Sequence, residues 1–181
     1  QLLADRTSAS AIVSLDLSSV RAFISCSEVV TARAMRAFQN VFGGIGVTEK
    51  HLWSCYAMAE NVFAITQSPQ YKVIRVDEEI LQKEDRVVLT NGGREIVSQG
   101  HPLPGTNIRV LDKNGEFLPK GHQGEICLKG PCLMSGYFRN PEKTNEAFFD
   151  GWFKTGDLGF LWDGELYVTG RIKDLVIIAG R

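Results

Sequence analysis

Turn-forming residues divide the later part of this chain into short segments. The sequences Asn-Gly-Gly at 91–93, Lys-Asn-Gly at 113–115 and Asp-Gly at 163–164 separate runs of alternating apolar and polar residues. Such residues are typical of tight turns and hairpins. The runs at 106–112 and 124–130 are typical of strands. The pattern therefore predicts a small antiparallel sheet or a distorted barrel for this part of the chain.

The earlier part of the chain has a different pattern. An apolar run at 18–24 predicts a buried strand, which Ser-Cys-Ser-Glu at 25–28 ends. Thr31 can cap a helix that glycines at 43–44 would stop, and its apolar residues at helical spacing are Ala34, Met35, Phe38 and Phe42. A second strand is expected at 52–56. Strand, helix and strand at this length predict a βαβ unit with parallel strands, so the fold class is α/β in the mixed α+β sense.

The change of pattern near residue 68 predicts a division into subdomains. Residues 1–68 would be the end of an α/β subdomain, and residues 69–172 a β-rich subdomain. A short helix is expected to begin at Pro141, because proline suits the first turn of a helix. The Tyr-Phe pair at 137–138 is expected to belong to the core.

Composition restricts the class of function. The chain has 181 residues, 44% of them apolar, and a formal charge of -1, so it can bury a core. Its basic residues are dispersed among acids, which argues against a nucleic-acid partner. No apolar run approaches the roughly 20 residues of a membrane span, and no signal pattern opens the chain. We expect a cytoplasmic protein without a membrane span.

The cysteines and histidines do not form a metal pattern. The spacing of the four cysteines matches neither a disulfide framework nor a zinc site, and four buried thiols are expected: Cys26, Cys55, Cys127 and Cys132. The histidines are equally scattered, and no metal or catalytic role is predicted for His51, His101 or His122.

The sharpest candidate site is Thr155-Gly156-Asp157, which Gly170-Arg171 follows at short range. A carboxylate accepts hydrogen bonds well from a vicinal diol, and a preceding glycine lets the backbone approach a ligand. An arginine can add a charge-assisted donor. A second candidate pair is Tyr56 and Glu60, at the end of a strand, where ligands collect in open α/β sheets. On their own, a tyrosine and a glutamate this close together are usually explained by packing and solvation.

Together these blocks resemble the adenylate-forming enzymes, a superfamily of acyl-CoA synthetases, fatty-acyl-AMP ligases and peptide-synthetase adenylation domains. The resemblance rests on Gly-Trp-Phe-Lys-Thr-Gly-Asp-Leu-Gly at 151–159 and Gly-Arg-Ile-Lys-Asp-Leu-Val-Ile-Ile-Ala-Gly at 170–180. It implies ATP or AMP as ligand with Mg²⁺. Asp157 would bind the ribose hydroxyls and Arg171 the ribose or phosphate.

The resemblance also assigns roles to residues of the earlier part. Tyr56 would contact adenine and Glu60 the magnesium ion, with Ala59 beside them. Ser27 and Glu28 would line the adenine and acyl pocket, although an acid at this position is also compatible with a helix start. Ser25 and Cys26 depart from the commoner glycine and alanine of the family.

Lys173 would be the hinge about which a small C-terminal domain swings, or else an exposed lysine on a connecting strand. Residues 173–181 would then be this hinge and the start of that domain. No Gly-rich phosphate loop precedes Tyr56, so the chain is expected to be a partial, inactive piece of a longer enzyme that contains no catalytic residue itself.

The amino-acid sequences of 15–21, 100–105 and 157–175 favour the fatty-acyl-AMP ligase branch of the superfamily. The expected substrate is a fatty acid, and the expected acceptor is an acyl carrier protein. An acyl-CoA synthetase that transfers to CoA is the alternative, and a non-catalytic nucleotide- or acyl-binding module is an alternative of another class. The stretch 70–98 would hold either an insertion typical of the branch or simply two strands and a loop.

Overall fold

A computed structural model describes residues 2–7 and 12–174 of the chain. The described α-helices are α1 (Leu2–Arg6), α2 (Ala32–Phe42), α3 (Glu78–Glu84) and α4 (Pro141–Ala147). The described strands are β1 (Phe23–Ser25), β2 (Leu52–Ala57), β3 (Ala64–Ser68), β4 (Val73–Val76), β5 (Arg94–Val97), β6 (His101–Pro102), β7 (Asn107–Leu111), β8 (Gly124–Lys129), β9 (Phe148–Phe149), β10 (Trp152–Trp162) and β11 (Glu165–Arg171). Short 3-10 turns occupy Gly43–Ile45, Glu49–His51, Ala59–Asn61 and Ile172–Asp174.

The predicted βαβ unit is confirmed. Strands β1 and β2 pair in parallel, with Phe23 opposite Leu52, and α2 connects them. The Thr31 side chain caps α2 by accepting a hydrogen bond from the Ala34 N–H at 3.2 Å. The α2 helix ends at Phe42, directly before the predicted glycines. Gly43 begins a short 3-10 turn that ends at the left-handed Gly46, with a φ of 103°.

The first predicted strand is shorter and more exposed than expected. β1 spans only three residues, and the Ile24 side chain is 48% exposed. Its neighbour β2 is the buried strand of this sheet, because β2 lies between β1 and β3. One face of α2 packs near β2 in a core cluster formed by Val30, Ala32, Met35, Phe42, Val47, Leu52 and Val97.

Two separate sheets carry most of the described strands. The first has the order β1-β2-β3-β6, with antiparallel pairing from β2 onward. The second is antiparallel, with the order β11-β10-β8-β7 and with β9 paired to β10. A core cluster joins the two sheets, and its members are Tyr56, Ile65, Ile108, Ile126, Leu128, Phe153 and Leu166.

The antiparallel hairpins are confirmed, whereas the predicted barrel does not form among the described strands. The outer edge of β11 does not pair with β7; instead it bonds to the segment before β6. There Gln99 donates its N–H to the Leu166 carbonyl at 2.7 Å, and the Leu166 N–H donates to the Gly100 carbonyl at 3.0 Å. Because this edge is already occupied, the second sheet stays open.

The stretch 70–98 contains a two-stranded antiparallel sheet and a helix. β4 pairs with β5, and α3 lies between them along the chain. The Asp77 side chain caps α3 by accepting from the Ile80 N–H at 3.1 Å. Glu95 of β5 makes ion pairs with Arg36 of α2 at 2.6 Å and with Arg75 at 2.7 Å. These ion pairs therefore attach the stretch 70–98 to α2. The predicted subdomain boundary near residue 68 stays a prediction.

The cysteines differ in their surroundings. All four are free thiols, and Cys55 and Cys127 are buried as predicted. Cys26 is half-buried and Cys132 is exposed, so the expectation of four buried thiols is wrong. The reason is that Cys132 lies beyond the end of β8, in the loop that precedes α4.

Among the described helices, none combines the length and the apolar character needed to cross a membrane.

Candidate functional site

A cleft of about 1600 Å³ lies where the two large sheets meet. The chain segments that line it include the end of β2, the middle of β10 and the end of β11. Of the residues predicted from sequence, those lining the cleft are Ser27, Glu28, Tyr56, Glu60, Asp157 and Arg171. The fold thus brings together residues that are more than a hundred positions apart in sequence.

Tyr56 lies near the end of β2 and is only 8% exposed. Its hydroxyl donates a hydrogen bond of 2.6 Å to Asp157 Oδ2. Burial, and then the charge of Asp157, raises the pKa of the Tyr56 phenol far above its ordinary value. Tyr56 therefore remains a neutral donor toward the carboxylate at every physiological pH.

Asp157 reaches the cleft because β10 is irregular at this point. The register between β10 and β8 shifts between Lys154 and Leu158, and Gly156 has a φ of 73°. Such an irregularity redirects a side chain, and glycine adopts a positive φ without strain. Asp157 lies opposite Arg171 in the β10–β11 ladder, and Arg171 Nε donates to Asp157 Oδ1 at 2.8 Å.

Two further side chains stabilise this irregularity. Glu125 Oε1 accepts the Gly156 N–H at 3.0 Å, which satisfies a donor that the interrupted ladder leaves unpaired. The Thr155 hydroxyl accepts the Asp157 N–H at 3.1 Å and donates to the Ile126 carbonyl at 2.8 Å. Glu125 and Thr155 therefore fix the backbone from which the Asp157 side chain projects.

Glu60 lies in the Ala59–Asn61 turn and also lines the cleft. Its Oε1 accepts a hydrogen bond of 3.2 Å from the Tyr137 hydroxyl. Burial, and then the Glu60 charge, raises the pKa of Tyr137. The expectation that Tyr137 and Phe138 belong to the core is wrong, because Tyr137 is 37% and Phe138 87% exposed.

The remaining predicted residues lie at the surface. Ser27 and Glu28 are exposed in the loop after β1, where Ser27 has a φ of 71°. Glu28 is not part of the first turn of α2, because that helix begins at Ala32. Ala59 is exposed in its 3-10 turn, and Lys173 is exposed in the last described turn. The rest of the predicted hinge, 175–181, lies outside the described residues.

The donor set restricts how a metal could be held. Within residues 2–7 and 12–174, no three His, Cys, Asp or Glu side chains form a group suited to a metal ion. Glu60 offers one carboxylate, and only its Oε1 has a hydrogen-bond partner among the described residues. Mg²⁺ is commonly held by one or two carboxylates together with substrate phosphates and water. Glu60 fits that mode, whereas a closed structural metal site does not fit these residues.

Sequence reasoning missed Tyr137 and Glu125 as parts of the site, and it gave Thr155 no role of its own. Thr155 lay inside the recognised Thr-Gly-Asp block, so that block contained the signal for it. Glu125 was interpreted only as part of a strand, and nothing in the run 124–130 indicates its bond to Gly156. Tyr137 had no local signal, because its partner Glu60 is 77 residues away.

Comparisons with known proteins identify the family of this chain. The family model described as AMP-binding enzyme matches residues 1–138. A putative acyl-CoA synthetase of Caulobacter vibrioides is 34% identical over 189 residues, which cover 100% of this chain and 33% of that protein. A medium-chain-fatty-acid–[acyl-carrier-protein] ligase of Moorena producens is 33% identical over 195 residues, covering 97% of this chain and 33% of that protein.

A solved structure from a study of fatty acyl-adenylate ligases of E. coli and L. pneumophila is also similar. It superposes with a TM-score of 0.91 at 36% identity, covering 99% of this chain and 34% of that one. The chain therefore spans about a third of the length of the relatives it matches.

Proposed function

Because the chain belongs to the AMP-binding enzyme family, we propose that the protein carrying it activates a fatty acid. The reaction uses ATP to convert the carboxylate into an acyl-adenylate and releases pyrophosphate. The acyl group then passes to an acyl carrier protein. The observation that carries this proposal is the cluster of Tyr56, Asp157 and Arg171 at one cleft.

The cluster is suited to a nucleoside. Asp157 offers a charged acceptor whose side chain is only 10% exposed, and a buried carboxylate can hold both hydroxyls of a ribose. The Arg171 side chain is 64% exposed, so its guanidinium can reach a ligand while Nε stays on Asp157. We assign Asp157 to the ribose hydroxyls, Arg171 to the ribose or phosphate, and Tyr56 to the adenine.

The chemistry needs positioning more than proton transfer. A carboxylate oxygen of the fatty acid attacks the α-phosphorus, and the bond from this phosphorus to the bridging oxygen of the β-phosphate breaks. Pyrophosphate leaves with that electron pair, and no general base is needed because the nucleophile is already ionised. Tyr56, Asp157 and Arg171 fix the nucleoside so that the α-phosphorus is held for in-line attack.

Glu60 is the residue of this chain that would hold Mg²⁺, which when bound offsets the charge of the phosphates. Its carboxylate lies at the same cleft as Asp157. Ser27 and Glu28 form part of the wall for the adenine and acyl groups, with Ala59 in the turn beside Glu60. Lys173 lies in the 3-10 turn that follows β11 and is the proposed hinge to a further domain.

The acceptor of the acyl group separates two proposals. Carrier-protein transfer is favoured by the similarity to the Moorena producens ligase, whose name states that acceptor. Transfer to CoA is the second candidate, favoured by the similarity to the Caulobacter vibrioides protein. The residues assigned here to the nucleotide are the same in both reactions.

The test uses the full-length protein with ATP, Mg²⁺ and radiolabelled medium- and long-chain fatty acids, with and without CoA. Acyl-AMP that persists in excess CoA supports the carrier-protein ligase. Rapid conversion of the label to acyl-CoA overturns that acceptor and supports the CoA synthetase. Neither product with any acid contradicts both proposals and supports a binding module.

Nucleotide assignment is tested separately through AMP affinity. Asp157→Asn removes the charged acceptor, so AMP should bind about 10- to 100-fold more weakly in calorimetry. Asp150→Asn is the matched control, because Asp150 is exposed and its φ of 48° suits asparagine equally well. Unchanged AMP affinity in Asp157→Asn would contradict the ribose assignment.

A further inference from the structure

Tyr137 contacts the carboxylate to which the proposed function assigns the metal. Its hydroxyl donates to Glu60 Oε1 at 3.2 Å, across 77 residues of sequence. We propose that Tyr137 is a positioning residue, which fixes the Glu60 carboxylate by one oxygen and leaves the other for a divalent cation beside the triphosphate. This inference rests on the proposed function, because the metal role of Glu60 belongs to it.

The position of Tyr137 is set by its own backbone and does not depend on Glu60. The Tyr137 N–H donates to Thr144 Oγ1 at 2.9 Å, and that hydroxyl donates to the Asn140 carbonyl at 2.9 Å. Gly136 packs so closely on α4 that a Cβ there would lie 2.7 Å from Thr144 Cγ2. The segment before α4 is thus held against the helix, and the phenol projects from a fixed base.

Glu60 is held to the same segment at a second point. Its backbone carbonyl accepts the Met134 N–H at 2.8 Å. The turn that carries Glu60 is also fixed at its far side, where Asn61 Nδ2 donates to the Ala64 carbonyl at 3.1 Å. The backbone of Glu60 is therefore well placed without Tyr137, and the Tyr137 hydroxyl adds control over the side chain alone.

The hydrogen bond suits this role chemically. A neutral phenol donates to a carboxylate without adding a charge that would compete with a cation. Among the described residues, Glu60 Oε2 has no hydrogen-bond partner, so one oxygen of the carboxylate is available for a ligand. Groups that orient a metal-ligating carboxylate in this way typically change metal affinity about 10- to 100-fold when they are removed.

The experiment compares Tyr137→Phe with the unsubstituted full-length protein. Free Mn²⁺ is measured by electron paramagnetic resonance in the presence of ATP, and ATP affinity is measured separately in EDTA. In the presence of ATP, we expect Mn²⁺ to bind the Tyr137→Phe variant about 10-fold more weakly than the unsubstituted protein. The affinity for ATP in EDTA should be unchanged. The Mg²⁺ concentration that gives half-maximal acyl-AMP formation should rise by the same factor.

Tyr71→Phe is the matched control, because Tyr71 is a half-buried tyrosine outside the cleft lining. Glu60→Gln is measured beside it to separate the two proposals. If Glu60→Gln loses Mn²⁺ affinity while Tyr137→Phe keeps it, the positioning role of Tyr137 is overturned and the metal role of Glu60 stands. If Glu60→Gln binds Mn²⁺ unchanged, the metal assignment fails and the inference about Tyr137 fails with it.

Discussion

The Tyr56 hydroxyl and the Asp157 carboxylate are joined by a hydrogen bond of 2.6 Å that spans 101 residues of sequence. It connects β2 of the first sheet to β10 of the second. The other Asp157 oxygen accepts from Arg171, so both oxygens have a protein donor before any ligand binds. The carboxylate is therefore held in place by the protein, and a ligand does not have to order it.

Tyr56→Phe should destabilise the fold, because it leaves Asp157 Oδ2 without its donor in a nearly buried position. A hydrogen bond to a charged group contributes about 1.5 to 3 kcal/mol, and the free energy of unfolding in urea should fall by that amount. Tyr71→Phe should change it little. An equal free energy for Tyr56→Phe and the unsubstituted protein would show that this bond contributes nothing to stability.

Glu125→Ala should lower both stability and nucleotide affinity. The substitution leaves the Gly156 N–H unpaired, at a cost of about 1 to 3 kcal/mol. It also loosens the irregular strand that directs Asp157, so AMP should bind roughly 10-fold more weakly or worse. Urea unfolding and calorimetry measure the two effects.

Glu125→Gln is the matched control for this prediction. The glutamine amide oxygen can still accept the Gly156 N–H, so stability and AMP affinity should stay close to those of the unsubstituted protein. If glutamine is as harmful as alanine, the charge of Glu125 matters and the hydrogen bond to Gly156 does not explain its role.

Elements with a local cause were predictable from the sequence. The βαβ unit follows from apolar spacing and from the Thr31 cap, and both signals lie within a few residues of what they determine. The bond between Tyr137 and Glu60 is different, because nothing near either residue specifies its partner. The same holds for the β11 edge, where pairing with the segment around Gly100 replaced the predicted barrel closure.

In the candidate site too, features with a local sequence signal were predictable and contacts between distant residues were not. The resemblance of the Thr-Gly-Asp block indicated Asp157 and Arg171, which lie opposite each other in one hairpin. The Tyr56 hydroxyl contact with Asp157 was not predictable, because it depends on how two sheets pack together. Side chains that support the site from another strand, such as Glu125, could only be found in three dimensions.

Gly100→Ala should be strongly destabilising. Gly100 has a φ of 88°, and a Cβ would lie 2.0 Å from the Gln67 carbonyl carbon. The unfavourable backbone conformation and the overlap together should cost about 2 to 5 kcal/mol in urea unfolding. Gly43→Ala is the control with the opposite sign, because Gly43 has helical angles and open space around it. The Gly43→Ala substitution should raise the free energy of unfolding by about 0.4 to 1 kcal/mol. Similar effects of the two substitutions would contradict this account.

The two buried thiols should make the protein less stable at alkaline pH. Burial raises the pKa of Cys55 to about 11 and that of Cys127 to about 12, from an ordinary value of 9.0. Well below pH 9.0 both thiols keep their protons in the folded and unfolded states, so they add no pH dependence. Above it only the unfolded chain loses these protons, so the free energy of unfolding falls by up to about 1.4 kcal/mol per pH unit for each thiol. Urea unfolding under reducing conditions between about pH 8.5 and about pH 9.5, where unfolded tyrosines are still mostly protonated, measures this slope. Cys55→Ala and Cys127→Ala should each flatten the slope, although each also lowers the stability at neutral pH by leaving a cavity. Cys132→Ala should leave the slope unchanged because that thiol is exposed, and an equal slope in all three variants would show that the buried thiols do not cause it.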